Sequence, residues 1–334
     1  MDRIPVFVGI DYHKNEVQVC VMDSQGGVLG NRACANDVDR VAQYVGAHGV
    51  VRGAAIECCE GAADFAESLI TQTNWTVELA HPGYVRRMRQ NPDKTDYSDA
   101  RMLADLERVG YVPQVWLAPQ TIRELRRLVR YRRQLVDERR NVKLRIRSLL
   151  REHRRPCEAP RWGKAWFGWV ANVALPEQSR WIMDRHLERL GQLNDAVIQA
   201  EGKLERETQD DVIVHKLLTL PGVGPVTAWA LRAEVGRFDR FRSGKQLARF
   251  CGLSPRNASS GPRQADAGLI NACNHDLRSV LIEAAHRLKR YDARWSALAQ
   301  RLSQSGKAGS VIAAAVANRW VRWLYHEMVG LPAA

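Results

Sequence analysis

The sequence predicts an α/β fold at the front of the chain and an all-α arrangement behind it. In the first hundred residues, short apolar runs typical of strands alternate with helical segments. Residues 119–156 then carry apolar side chains at seven-residue spacing, which is typical of long paired helices. From residue 212 onward the pattern is helical again and is interrupted by glycine turns. A chain of 334 residues is long enough for two or three domains. The predicted domains are residues 1–115, 116–210 and 211–334.

The composition favours a polyanionic partner. The chain has 50 Lys and Arg against 37 Asp and Glu, a formal net charge of +13. Basic side chains that neutralise phosphates release counterions and so gain affinity. Seven cysteines without a CxxC pair favour a reducing compartment. Because no apolar run reaches the length of a membrane span, we expect a cytoplasmic protein without a membrane partner.

The strands of the first domain are predicted from their apolar runs. They lie at residues 6–10, 16–22, 28–30, 53–56 and 76–80, with a tight turn after the second and a helix over 38–47. Three antiparallel strands followed by alternating helices and strands are the order of an RNase H-like sheet. We expect the strand after the first helix to lie at the sheet edge and to end at Glu57.

Four acidic residues lie at the ends of these elements. Asp11 ends the first strand and Glu57 a later one, while Asp96 and Asp99 share one face at a predicted helix start. Converging carboxylates repel each other unless a cation or a shared proton intervenes, and magnesium (Mg2+) is the expected cation for an oxygen-only site. The structural alternatives are a helix N-cap for Asp96 and a buried strand-end carboxylate for Asp11.

The middle region combines two apolar seams with a dense set of arginines. The seams contain Leu128, Leu135, Val142 and Leu149, and then Met183, Leu190, Val197 and Leu204. They predict two long coiled-coil helices that pair with each other or with a second subunit. An aromatic cluster between them, Trp162, Trp166, Phe167 and Trp169, is expected to form a small helical packing unit. The arginines predicted to contact nucleic acid are Arg126, Arg127, Arg130, Arg133 and Arg140.

Two glycine-containing segments mark the last region. The sequence PGVG at 221–224 predicts a helix-hairpin-helix, in which Gly222 and Gly224 let backbone N–H groups approach a phosphate; an ordinary helix turn is the alternative. The loop at 251–263 places serines beside Arg256 and Arg263, which could stabilise charge on a reacting phosphate. From the residues alone, a flexible loop is the simpler interpretation.

Six short motifs, taken in order, resemble one known family. They are FVGID at 7–11, IECCEGA at 56–62, KTDYSDA at 94–100, LPGVGPVTA at 220–228, GLSP at 252–255 and SSG at 259–261. The chain resembles the DEDD transposases of insertion-sequence family one-hundred-and-ten, which are close to the Piv-type DNA invertases. The resemblance implies a RuvC-like domain, a coiled-coil linker and a C-terminal transposase domain with a nucleophilic serine. It also implies a structured guide RNA, the bridge RNA, that pairs with donor and target DNA.

The resemblance carries specific roles to individual residues. Asp11, Glu57, Asp96 and Asp99 match the acidic tetrad, with Glu60 as the competitor of Glu57. Ser260 matches the nucleophile, with Ser259 as its competitor. The chain departs from the family where a basic Ser-Lys-x-Gly-Asn segment usually precedes Leu-Arg, because residues 270–276 read INACNHD. The lysine is missing there, and Arg278 remains as a predicted nucleic-acid contact.

The expected function is RNA-guided, magnesium-dependent recombination of DNA. The tetrad would hold the cation, Ser260 would form a covalent protein–DNA phosphoester, and a dimer or tetramer would complete the site. The alternatives are a Piv-like invertase, a RuvC-type junction nuclease that uses water, and a non-enzymatic RNA-binding protein. The target sequence would be specified by an RNA that these residues do not encode.

Overall fold

The computed structural model describes residues 4–88, 95–157, 160–257 and 266–330. Its contacts divide the chain into two compact units, Met1–Gln120 and Thr121–Ala334. The mixed α/β class is confirmed, whereas the boundaries predicted at residues 115 and 210 stay predictions. Within the described ranges, no helix combines the length and apolar character needed to cross a membrane.

The first unit is built on a six-stranded mixed sheet in the order β3-β2-β1-β4-β5-β6. Strands β1, β2 and β3 are antiparallel neighbours, β4 runs parallel to β1, and β5 runs parallel to β4. This order is consistent with an RNase H-like domain. The strands are β1 (Pro5–Tyr12), β2 (Glu16–Asp23), β3 (Val28–Ala35), β4 (Val50–Glu57), β5 (Val77–Ala80) and β6 (Gln114–Val115).

The prediction that the strand ending at Glu57 lies at the sheet edge is wrong. Strand β4 is hydrogen-bonded to β1 on one side and to β5 on the other. Its residues Ala54, Ala55 and Ile56 are fully buried. Such a continuous buried run is typical of an interior parallel strand that is covered on both faces. Glu57 therefore emerges near the middle of the sheet.

Helices cover both faces of this sheet. They are α1 (Val38–Gly46), α2 (Ala62–Thr73), α3 (Pro82–Met88) and α4 (Asp96–Arg108). Helices α1 and α2 share a core with the β1 residues Val6, Val8 and Ile10. Because side chains alternate along a strand, Gly9 and Asp11 point to the opposite face, where α4 packs against β1 and β2.

The second unit is almost entirely helical, with one short hairpin. Its helices are α5 (Gln120–Glu152), α6 (Lys164–Asn172), α7 (Glu177–Glu207), α8 (Val212–Leu218), α9 (Pro225–Val235), α10 (Gly244–Phe250), α11 (His275–Tyr291), α12 (Ala293–Gln304) and α13 (Gly309–Met328). The hairpin strands are β7 (Pro255–Asn257) and β8 (Asp266–Leu269). One large core joins α8–α13 with Leu125 of α5 and Leu204 of α7.

Helices α5 and α7 run antiparallel within one chain. Arg132 donates to Glu201 at 2.6 Å, and His153 near the end of α5 lies 2.8 Å from Ser179 at the start of α7. Five of the eight predicted seam residues share one core with Trp166 of α6: Leu135, Val142, Met183, Leu190 and Val197. The sequence predicts that these helices pair with each other or with a second subunit, and the structure contains the pairing of α5 with α7 in the same chain. Coiled-coil geometry and association between subunits stay predictions.

Candidate active site

Three of the four predicted acids converge on the α4 face of the sheet. Asp11 is the next-to-last residue of β1, Glu57 ends β4 and Asp99 lies in the first turn of α4. One carboxylate oxygen from each lies within 4.8 Å of the others. Ile10 of β1 is paired with Ile56 of the parallel strand β4. The next residue of each strand, Asp11 and Glu57, therefore lies at the same end of the sheet. Asp11 is 7% exposed and Asp99 is 2% exposed. The group is therefore shielded from most of the solvent.

The start of α4 is capped by Thr95, which excludes the N-cap interpretation of Asp96. The Thr95 hydroxyl accepts from the Ser98 backbone N–H at 3.1 Å, and the Ser98 hydroxyl accepts from the Thr95 N–H at 3.2 Å. This is a reciprocal capping box. Because Thr95 caps the helix, the carboxylates of Asp96 and Asp99 are not needed for that task. Both also lie at the positive end of the helix dipole.

Asp96 joins the group through His13, a residue that the sequence analysis missed. The Nε2 atom of His13 lies 3.3 Å from an Asp11 oxygen and 3.4 Å from an Asp96 oxygen. One ligand atom from each of the three residues lies within 4.8 Å of the others. His13 follows Asp11 by two residues, and in extended chain two residues at this spacing point to the same face. That spacing was the available signal.

The competitor Glu60 lies elsewhere. Glu60 is an exposed residue in the turn between β4 and α2, and the described metal-ligand groups contain Glu57 instead. Nearby, burial, reinforced by the charges of Cys58, Glu57 and Asp11, raises the pKa of the Cys59 thiol to about 11. The local field is thus negative, and it disfavours additional anions. A site of carboxylate oxygens with one imidazole nitrogen favours a divalent cation.

Two family models match the chain. A model of the DEDD transposases of IS110 elements, described as Transposase, matches residues 8–154 and so includes every residue of the acidic group. A second, described as Transposase IS116/IS110/IS902 family, matches residues 214–300. The chain belongs to the IS110 family of DEDD transposases. The resemblance read from the six motifs is therefore confirmed, and the IS110 transposase is an enzyme that acts on DNA.

Similar curated proteins include other bacterial transposases. A probable family 20 transposase from Pseudomonas aeruginosa is 28% identical over 81% of this chain and 82% of its own length. The transposase for insertion sequence element IS1111A of Coxiella burnetii is 26% identical, covering 85% and 78%. The transposase for IS1328 of Yersinia enterocolitica is 25% identical over 94% of both chains. An IS110 DEDD domain implies a divalent metal, and the converging carboxylates provide a donor set that fits it.

In the second unit, four of the predicted nucleic-acid residues line one cleft. Gly222, Gly224, Arg133 and Arg140 border a cavity of about 570 Å³ between α5, α9 and α11. Gly222 has a φ of 82°, a conformation that favours glycine, and Gly224 is the N-cap of α9. The glycine turn therefore presents backbone next to arginine side chains. A helix-hairpin-helix that binds DNA here stays a prediction.

Three other predicted contact arginines have partners within the protein. Glu234 of α9, only 8% exposed, accepts from Arg130 at 2.9 Å and lies 3.5 Å from Arg126. Arg127 pairs with Glu124 one turn earlier on α5. The two pairs with Glu234 hold α5 against α9, which gives Arg126 and Arg130 a structural task in addition to any contact with nucleic acid.

The serine loop is described only at its two ends. Ser259, Ser260 and Arg263 lie outside the described residues, and Arg256 is exposed on β7. Arg278 donates to the carbonyl oxygens of Gly252 at 3.2 Å and of Ile270 at 2.9 Å. Its guanidinium therefore ties together the two ends of the segment that carries the loop.

Proposed function

We propose that this IS110 transposase is a magnesium-dependent, RNA-guided recombinase that cuts and rejoins DNA at the ends of its own element. The observation that carries the proposal is the convergence of Asp11, Glu57 and Asp99, with Asp96 joined through His13. Nearly buried carboxylates in such a cluster repel one another strongly unless a cation is bound. A site of this type is suited to phosphate chemistry.

Asp11, Glu57 and Asp99 would hold the ion, and Asp96 with His13 would complete its surroundings. When bound, a magnesium ion supplies positive charge beside the scissile phosphate and lowers the pKa of a coordinated hydroxyl. The protein contributes the fixed positions of the carboxylates on two strands and one helix. A cluster that is organised before substrate binding needs less rearrangement during the reaction.

The covalent step is assigned to Ser260. Its Oγ would form a bond to phosphorus while the phosphorus–oxygen bond to the departing strand breaks, and the hydroxyl proton would leave with a neighbouring base. Because one phosphoester replaces another, the bond energy is kept in the protein–DNA link. A strand hydroxyl that attacks this link would release serine and restore the DNA without an external energy source.

Recognition of nucleic acid is assigned to the cleft of Gly222, Gly224, Arg133 and Arg140. The family resemblance supplies the partners proposed for it, a structured bridge RNA together with donor and target DNA, in a dimer or tetramer. Backbone N–H groups at the start of α9 and arginine side chains are both suited to phosphate oxygens. Contacts of this kind position a duplex without reading its sequence, which is consistent with specificity that resides in base pairing.

A hydrolytic junction nuclease is the second candidate. One specific observation favours it: every member of the acidic group lies in the first unit, so these ligands come together without the serine loop. Water could then replace the serine as the nucleophile. A Piv-like invertase would use the same serine chemistry on a different arrangement of DNA sites.

Denaturing gels separate the two mechanisms. Wild-type protein incubated with element-end DNA, guide RNA and Mg2+ should give a protein–DNA adduct that survives denaturation, and peptide mapping should locate it at Ser260. Ser260→Ala should abolish both adduct and cleavage, whereas Ser259→Ala should retain them. Cleavage by Ser260→Ala without an adduct would favour hydrolysis and overturn the serine mechanism.

A further inference from the structure

A second basic site lies where α5 ends, away from the glycine cleft along the same helix. A cleft of about 460 Å³ lies between the end of α5, residues 154–157, Arg161 and α6. Leu150, Pro156, Trp166 and Trp169 form its apolar lining. Five arginines also border it: Arg147, Arg151, Arg154, Arg155 and Arg161. The volume is within the range of about 300–1,000 Å³ that is common for ligand sites.

The arginines at this cleft have no acidic partner among the described residues. The described lining contains no acidic side chain, and none of the five arginines forms an ion pair with another described residue. Most arginines along the neighbouring helices do pair, as Arg180 does with Asp184 and Arg189 with Glu138. Attraction to the negative end of α5 accounts for arginines in its last turn. It does not account for Arg161, which lies beyond the segment that leaves the helix.

The backbone at this site is strained in two places. Helix α5 ends in a Schellman-type turn, with Arg155 N–H donating to Leu150 O at 2.8 Å and Arg154 N–H to Arg151 O at 3.0 Å. The residue in the left-handed position, usually glycine, is Arg154 with a φ of 50°. Trp162 has a φ of 69°, which is rare for a bulky residue. Strain of this kind tends to occur at ligand sites, where the side chain is needed.

We propose that this cleft binds a single-stranded segment of nucleic acid, with phosphates on the arginines and an unstacked base against Trp169. Trp166 is only 1% exposed and belongs to the core, and half-buried Trp169 packs on it at a centroid distance of 6.5 Å. An aromatic ring backed by a rigid core is a good stacking platform. A duplex keeps its bases stacked inside, so an apolar cleft ringed by arginines favours single strands. The site is distinct from the acidic group and does not depend on cleavage.

Binding measurements on the full chain test the proposal. The probes are labelled single-stranded RNA, single-stranded DNA of the same sequence, a DNA duplex and inorganic polyphosphate. The test variant is Arg151→Ala/Arg155→Ala. The control variant, Lys203→Ala/Arg206→Ala, removes the same amount of charge at the C-terminal end of α7, away from this cleft. Removal of two phosphate contacts should weaken single-strand binding about tenfold or more. It should also lower the slope of log affinity against log salt by about 1.4, with little change in the control.

Trp169 tests the stacking part separately. Trp169→Ala should weaken single-strand binding about tenfold, leave polyphosphate binding unchanged and be rescued by Trp169→Phe. A larger loss for RNA than for DNA assigns the site to RNA, and the reverse assigns it to DNA; either result supports the proposal. Equal losses of single-strand affinity in Arg151→Ala/Arg155→Ala and in its charge-matched control would overturn the proposal. So would a Trp169→Ala protein that loses polyphosphate and single strands equally.

Discussion

Gly9 of β1 lies directly against the backbone of Ala100 in α4. A Cβ atom at residue 9 would collide with the Ala100 carbonyl oxygen and the Ala104 nitrogen. This close approach brings the first turn of α4, with Asp99, beside the end of β1, with Asp11. The geometry of the acidic group therefore depends on a glycine, a residue without a Cβ atom, two positions before Asp11.

Gly9→Ala should displace α4 and loosen the acidic group. Overpacking of a close interface costs about 1–3 kcal/mol, and both contacting atoms here belong to the backbone, which cannot yield as a side chain can. We expect a free energy of unfolding lowered by about 3 kcal/mol and a strong loss of cleavage. Urea unfolding and a plasmid excision assay measure the two effects. The control is Gly46→Ala, where a Cβ meets nothing within 4 Å. Unchanged cleavage by Gly9→Ala would contradict the proposed dependence.

His13→Ala should weaken the tie between Asp96 and the other acids. Residues that hydrogen-bond to metal ligands typically contribute about 10–100-fold to metal affinity. We expect Mn2+ binding, followed by calorimetry, to weaken about tenfold and cleavage to fall in parallel. His215→Ala, an exposed histidine of α8, is the control. If His13→Ala and His215→Ala bind Mn2+ with the same affinity, His13 has no part in the centre.

Glu107 gives the first unit a pH dependence away from the acidic group. Burial, reinforced by Glu78, raises the pKa of Glu107 to about 7. Because the pKa in the folded state exceeds that in the unfolded state, the protonated carboxyl stabilises the fold. That contribution is complete at pH 4 and below, and it is lost as the pH rises to about 7. Glu107→Gln keeps a neutral group, so it should be more stable than wild type at pH 8.

The expected gain for Glu107→Gln is about 1 kcal/mol, after allowance for solvent screening at this half-buried position. Thermal unfolding between pH 5 and pH 8 measures it, with Glu16→Gln on the exposed start of β2 as the control. An identical pH dependence in wild type and Glu107→Gln would show that this carboxyl does not titrate differently in the folded protein.

Arg278→Ala should release the two ends of the serine-loop segment. It removes charge-assisted hydrogen bonds to the carbonyls of Gly252 and Ile270, and such bonds contribute about 1.5–3 kcal/mol each when they involve a charged group. We expect stability to fall by about 2 kcal/mol and DNA cleavage to fall more than DNA affinity. Arg290→Ala, at the exposed end of α11, is the control. Loss of DNA affinity with unchanged stability would instead identify Arg278 as a direct nucleic-acid contact.

Much of the acidic group followed from local sequence signals. Asp11 and Glu57 end apolar runs, and Asp99 follows Asp96 by one helical turn, so periodicity was enough to place them. The interior position of β4 was missed because strand order depends on long-range pairing, which a short apolar run does not specify. The ion pairs of Arg126 and Arg130 were missed for a similar reason, since Glu234 is 104 residues from Arg130. His13 was missed because its one local signal, the two-residue spacing from Asp11, does not by itself indicate a metal ligand.

The central claim is that Asp11, Glu57 and Asp99 hold a divalent cation, and calorimetric titration with Mn2+ tests it most directly. Glu57→Gln provides the decisive comparison, because Glu60→Gln makes the same chemical change three residues away and outside the group. We predict that wild type and Glu60→Gln bind Mn2+ equally and that Glu57→Gln binds at least about tenfold more weakly. Equal binding by all three proteins would contradict the claim.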